Sequence, residues 1–280
     1  MKILVILLLS ICSCEASDIL IVNSDRNVEK YVTIEKEFKK NFSTDIVTVS
    51  PEEYDASISP EVVYCIGTRA LTVVQKNGYN KIVFSSVLNW RQVSGKSTFG
   101  VANDLHIGMQ VTLFKYFFPK LNTIAVLYNE RYNAATVEIS VQEAAKVGIT
   151  AVPHHVNKPE DLETVISSVK EDAIWLIADP IVIANKHSIE TLFKQSDANK
   201  IPVFSYTDAF SKNSVLVLSS DTSTIARQAS IIADQLMVGE HVIPITDPAG
   251  SNILLNRRLL KKYGLQVNVL ALKSINSFIE

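Results

Sequence analysis

Asp179 ends the apolar run Ala173 to Ala178 and is followed at once by Pro180. A carboxylate in that place has two uses. Proline suits the first position of a helix, which makes the residue before it a cap for free backbone N–H groups. If the run is a strand of an open parallel sheet, the same carboxylate stands at the strand's carboxyl end, where α/β proteins bind ligands, and is placed to hold an ammonium or a hydroxyl. The sequence leaves both uses open. Other suggestive residues fail on spacing. His154 and His155 follow Pro153, but no second group of His, Cys or acidic residues is spaced to complete a metal site. The stretch SGKST (94–98) resembles the end of a phosphate loop, yet Trp90 stands where that loop needs glycine. The five histidines (His106, His154, His155, His187, His241) come with no nucleophile elbow and no zinc-protease pair. No base has a partnered nucleophile, so the residues point to binding without bond chemistry, with no cofactor and no metal. An α/β enzyme acting on a small metabolite is the weaker alternative.

Composition agrees with a soluble globular chain. Of 280 residues, 47% are hydrophobic and 20% charged, which supplies a substantial core, and the length suits two lobes. The net charge is −2 and no Lys/Arg cluster stands out, so nucleic acid is not an expected partner. Residues 1–16 read as a secretory signal: Lys2 is followed by the apolar run Ile3 to Leu9, too short for a stable membrane anchor. Two processing routes fit. Cys14-Glu15-Ala16 resembles a small-residue cleavage site releasing a chain near Ser17, and Ile11-Cys12-Ser13-Cys14 resembles a lipobox with Cys14 as the lipidated residue. Either way the mature protein is expected to be exported, to the periplasm or lipid-anchored at the cell envelope. Cys65 is the one cysteine of the body, and in the run VVYCIG it reads as a small buried hydrophobe.

The elements that must position such residues alternate. Continuous β-branched runs suit parallel strands covered on both faces: 18–22, 45–49, 62–66 and 81–85, then 123–128, 149–153, 173–178, 201–205 and 214–219. Between them lie helical patterns. One begins after Asp104 as N-cap, ends at Pro119 and places Leu105, Met109, Thr112 or Leu113, and Tyr116 on one face. A second places Val137, Val141 and Ala144 together and stops at Gly148. A third places Ile225, Ala229, Ile232 and Leu236 together and stops at Gly239. The pattern predicts an α/β fold of two doubly wound parallel-sheet lobes. The polar stretch 86–103 shows no periodicity and reads as a crossing between them. The tail, 252–272, must pack on one lobe.

The segments FFPKLNTIAVLYNE (117–130), EDAIWLIADPIVIANK (171–186), KIPVFSYTDAF (200–210), STIARQASIIADQLMVGE (223–240) and LLNRRLLKKYGLQV (254–267) occur in an order that resembles the ABC transporter substrate-binding family, whose characterised members include tryptophan- and tyrosine-binding lipoproteins. The stretches 62–71 and 81–90 are similar to its first-lobe strand ends. The resemblance covers most of the chain from about residue 60. It implies a type I periplasmic-binding-protein architecture: two lobes, three crossing segments and one small ligand in the cleft between. It divides the chain into lobe 1 (17–99 and 213–243) and lobe 2 (100–212 and 244–280). It also implies delivery of the ligand to a membrane permease and ATPase. A sensory protein of the same fold, reporting occupancy to a membrane receptor or kinase, is the alternative reading.

Helix N-termini and hydroxyls hold a ligand carboxylate well. In such a cleft the turns after the first-lobe strands offer Asn23 and Ser24, Gly67 and Thr68, and Ser85 and Ser86. Asn89 stands where family members often carry an acid. The second lobe offers Tyr128, Asn129 and Glu130, then Asp179, then Tyr206, Thr207 and Asp208. Asp179 or Asp208 suits a ligand amine, and Tyr128, Tyr206 or Trp90 suits stacking on a flat ligand. The tyrosines equally suit packing at the edge of a core. Asp221 reads first as a helix N-cap and second as a contact. The expected ligand is a small molecule, an aromatic or other amino acid among the candidates.

Overall fold

A computed structural model describes residues 18–43, 45–88, 90–93, 95 and 97–280. The signal region with Cys14 lies outside these residues, as do Asn89 and part of 94–98. The first sheet is built from β1 (Ile19–Asn23), β2 (Val47–Val49), β3 (Val62–Ile66), β4 (Ile82–Ser85) and β5 (Thr98–Val101), interleaved with α1 (Glu29–Lys39), α2 (Thr68–Lys76) and the single-turn α3 (Trp90–Val93). The second is built from β6 (Thr123–Tyr128), β7 (Thr150–His155), β8 (Ala173–Trp175), β9 (Val203–Ser205) and β10 (Leu216–Ser220), with α4 (Ile107–Phe117), α5 (Glu130–Lys146), α6 (Leu162–Ser168) and α7 (Lys186–Ala198). The chain then returns to the first lobe as α8 (Thr222–Met237) and β11 (Ile245–Thr246). It ends in the second as β12 (Ser251–Asn256), α9 (Arg257–Lys262) and β13 (Ser277–Ile279). Strand order is β11-β5-β4-β3-β1-β2 in one sheet and β13-β12-β10-β9-β8-β6-β7 in the other.

The continuous apolar strands are explained by two-sided cover. Ile19 and Ile21 face one way and join Ile34, Phe38 and the α8 residues Ile225, Ala229, Ile232 and Leu236. Leu20 and Val22 face the other and join Ala70, Leu71 and Val74 of α2, with Cys65 sealed among them. Burial pushes the Cys65 thiol well above its usual range, as expected of an inert hydrophobe. Gly148 and Gly239 take φ of +73° and +76° just past α5 and α8, so those stops are as the sequence predicts.

Five expectations are corrected. The run 214–219 is expected with 213–243 in lobe 1. Strand β10 instead pairs parallel with β9 and antiparallel with β12 inside the second sheet, and the chain crosses only after Ser220. Strand β5 and the short β11 extend the first sheet beyond residues 99 and 243. The stretch 86–103 is more than a crossing, because it contains α3 and β5. Helix α4 turns a different face inward: Ile107, Gln110, Val111, Phe114 and Phe117 are buried, while Met109 and Tyr116 are exposed. Apolar residues lie on more than one face of this helix, so periodicity does not select the inner one. Its cap is His106, whose Nδ1 accepts from Gly108 N at 3.1 Å, and not Asp104.

The three crossings lie side by side. Ala102 N donates to Thr246 O (2.9 Å), Ser220 Oγ donates to Asn103 O (2.8 Å), and Asp221 N donates to Gly250 O (2.9 Å). Gly250 packs so closely that an added Cβ would lie 2.7 Å from Thr224 Oγ1 and 3.1 Å from Asp221 Cβ.

Candidate functional site

Between the lobes the cleft has two adjoining chambers that share Tyr206. The inner one is walled by Trp90 and Arg91 of α3, by Asp104 and Leu105 of the first crossing, and by Gln110, Tyr132, Asn133, Trp175 and Ala178 of lobe 2. The outer one takes Lys30 and Tyr31 of α1, Ser86 and Leu88 after β4, Asn103, and Thr207, Asp208 and Ser219 of lobe 2.

Of the residues expected from sequence, Ser86, Tyr206, Thr207 and Asp208 line the cleft, as does Trp90. The others, apart from Asn89, which lies outside the described residues, form the frame around it. Asn23 Nδ2 donates to Glu35 (3.0 Å), and Asn23 Oδ1 accepts from Asp25 N (3.1 Å). Ser24 Oγ accepts from Ala70 N (2.9 Å), fixing the start of α2. Gly67 takes φ +88°, and a Cβ added there would lie 2.7 Å from Ser24 Oγ, so no side chain fits. Thr68 Oγ1 accepts from Leu88 N (3.1 Å), and Ser85 Oγ is 2.6 Å from the Tyr64 hydroxyl. Tyr128 packs on the lobe 2 core with its ring 5.7 Å from that of His155. Asn129 caps α5 through Arg131 N (3.1 Å), and Glu130 is the exposed first residue of that helix. Asp221 caps α8, accepting from Thr224 N at 2.7 Å.

Asp179 is fully buried, and both its oxygens are occupied. Oδ1 accepts from Ile181 N (2.9 Å) and Val182 N (3.0 Å). Oδ2 accepts from Asn129 N (2.7 Å) and Asn133 Nδ2 (2.8 Å). It therefore caps the turn at Pro180, while α7 begins later with Asn185 as its cap. Its link to the cleft is indirect, through Asn133. His154 Nε2 lies 3.2 Å from Glu171 Oε2, a local pairing, and the described residues contain no group of three or more His, Cys, Asp or Glu fit for a metal.

Sequence reasoning missed Lys30, Arg91, Asp104, Gln110, Tyr132, Asn133 and Trp175. Asp104 reads as a cap in the sequence. Trp175 lies inside a strand, but its Nε1 donates to Gln110 Oε1 (3.2 Å), and a glutamine on the apolar face of α4 was the available signal. The cleft is electrostatically unfinished. Burial raises the Asp104 carboxyl, against the opposing pull of Arg91, Lys30 and Asn103. Burial lowers the Lys30 ammonium, against Asp104 and Asp208. Burial raises the Tyr206 hydroxyl too, with Asp104 and Asp179 adding to it. Perturbed groups of opposite charge gather at functional sites and at structural ion networks alike. Two buried donors, Ser86 Oγ and Trp90 Nε1, have no partner among the described residues. Ser86 also holds φ at +54°, a costly conformation for serine that gathers at ligand-contacting loops.

The family described as ABC transporter substrate binding protein matches residues 13–278. The chain belongs to that family. Its members are substrate-binding proteins and not enzymes, and membership implies a small-molecule ligand and an ABC permease as partner. The fold agrees. A Streptococcus pneumoniae ABC domain in complex with L-Trp is 17% identical, with a TM-score of 0.66, covering 93% of this chain and 100% of that one. A ligand-free, open substrate-binding protein with adhesive properties from Clostridium difficile is 19% identical, with a TM-score of 0.70, covering 94% and 98%. A Rhodobacter sphaeroides ABC sugar transporter subunit is 10% identical, with a TM-score of 0.50, covering 85% and 97%. These likenesses establish the type I periplasmic-binding fold and leave the ligand class open. No curated protein matches the sequence.

Proposed function

We propose that this protein is an exported receptor that captures an aromatic amino acid between its lobes and presents it to an ABC permease and its ATPase. Export rests on the signal-like residues 1–16, with the chain either released near Ser17 or anchored at Cys14. One observation carries the ligand reading: aromatic walls and charges of both signs share one inter-lobe cleft. Trp90 on one side, with Arg91 over its ring at 4.3 Å, and Tyr132 and Tyr206 on the other wall the space for a flat side chain, and the buried Trp175 closes its end. Asp104 suits an ammonium. Ser86 Oγ, Lys30 and Thr207 suit a carboxylate. An uncharged sugar uses the rings but offers Asp104 and Lys30 no charge of its own. A solute touching both lobes favours the closed state, which is the form a permease reads. A thermal-shift screen of amino acids, nucleosides and sugars tests this. An aromatic amino acid at about 100 times its Kd is expected to add about 2.7 kcal/mol of stability. Stabilisation by sugars alone overturns the ligand assignment.

A further inference from the structure

A chain of polar side chains joins the two chambers. Lys30 Nζ donates to Asn103 Oδ1 at 3.1 Å, and Asn103 Nδ2 approaches Asp104 Oδ1 at 3.4 Å. Lys30 and Asn103 face the outer chamber, and Asp104 faces the inner one. The geometry points to Lys30 as a charge-selecting residue: through Asn103 its ammonium joins Arg91 as a resident counter-ion of Asp104, so the cleft admits a zwitterion and rejects a bare amine. This deepens the aromatic amino acid reading and rests on it.

The selection works by ion exchange. A ligand ammonium that reaches Asp104 brings a third positive charge to a carboxylate already served by Arg91 and Lys30. An amine offers Lys30 nothing in return. A zwitterion offers its carboxylate, so the two pairs swap partners without leaving a desolvated charge alone. The wall beside Lys30 is equipped for that carboxylate, because Ser86 Oγ is buried, unpartnered among the described residues, and lines the same chamber. A deaminated acid fails in the opposite sense: its carboxylate draws Lys30 away and brings no ammonium to replace it at Asp104. Asp208, across the outer chamber, draws Lys30 toward lobe 2 but is itself occupied by Ser219 Oγ (2.6 Å) and Asn252 Nδ2 (3.2 Å). Neither side chain is fully open to water, so each charge is sensitive to its partner.

The test measures Kd for L-tryptophan, tryptamine and indole-3-propionate, and for L-tyrosine and tyramine, on the wild type, Lys30→Met and Lys30→Arg. Lys30→Met is expected to weaken the amino acids about tenfold and to tighten the amines, shrinking the amino acid to amine preference by about 30-fold or more, and Lys30→Arg is expected to restore it. An unchanged preference overturns the inference even if both affinities fall, because a merely structural lysine weakens all ligands alike. A ligand-free arm compares thermal unfolding of Lys30→Met, Asp104→Asn and the double variant. Non-additive changes are expected, and additive ones overturn the counter-ion role. If no aromatic probe binds the wild type, the aromatic reading fails by itself while this cycle still decides whether Lys30 serves Asp104.

Discussion

Deleting the Asp179 carboxylate leaves four donors facing an apolar interior. Asp179→Ala is expected to cost about 3 kcal/mol of stability, since the lost acceptor served two turn amides, Asn129 N and Asn133 Nδ2 at once. Chemical denaturation measures this. Ligand affinity is expected to fall only as far as Asn133 loses its place in the cleft wall, and a tenfold loss of affinity at unchanged stability would reverse the assignment. Asp104 is the contrasting case. Both are acids next to an apolar stretch, and sequence alone favours Asp179 because a strand end and a proline advertise it. The carboxylate that faces the cleft follows Ala102 and Asn103 in a segment without periodicity. What separates them is the number of backbone amides that converge on each, and that follows from tertiary structure alone.

At the scale of elements, α1 is fastened to the first sheet by Glu35. Its carboxylate accepts from Asn23 Nδ2 at the end of β1 (3.0 Å), from Thr48 Oγ1 of β2 (2.7 Å) and from Lys39 Nζ (2.8 Å). Burial pushes this carboxyl upward, but the three donors outweigh it, and the net direction is below the usual 4.5. A depressed folded value means stability that is present in full above the unfolded carboxylate's range and is lost as pH falls through the folded one. The melting-point gap between the wild type and Glu35→Gln is therefore expected to stay constant above about pH 5 and to close on further acidification. A gap that persists at low pH would show that shape, not charge, fastens the helix. Elements were legible in the sequence where one physical signal dominated. The two-sided strands Ile19–Asn23 and Val62–Ile66 and the helices closed by Gly148 and Gly239 are of this kind. Legibility failed where signals competed. Helix α4 carries Met109 and Tyr116 on its exposed side as well as apolar residues inside, and β5 hides in Thr98–Val101 behind polar residues. Strand β10 carries no mark of its lobe, since any buried strand reads alike whichever sheet accepts it.

At the scale of the molecule, the lobes move only as the three crossings allow, and Gly250 sits where the second and third touch. Its backbone φ is not in the left-handed region, so substitution there acts through space alone. Gly250→Ala is expected to cost about 1–3 kcal/mol by overpacking against Thr224 and Asp221. It is also expected to change Kd with every cleft side chain intact, because it biases the open and closed forms unequally. Small-angle scattering with and without ligand checks the second effect. Equal compaction and equal Kd in both proteins would place the pivot elsewhere.

The sealed position of Cys65 has a practical side. In a chain beginning at residue 18 it is the one sulfhydryl, and it lies beyond the reach of maleimide reagents. Leu88 and Ala209 stand on opposite lips of the cleft, both accessible. Cysteines placed there accept a donor and an acceptor fluorophore with no need to remove the native one, so the protein converts readily into an optical reporter of its own occupancy.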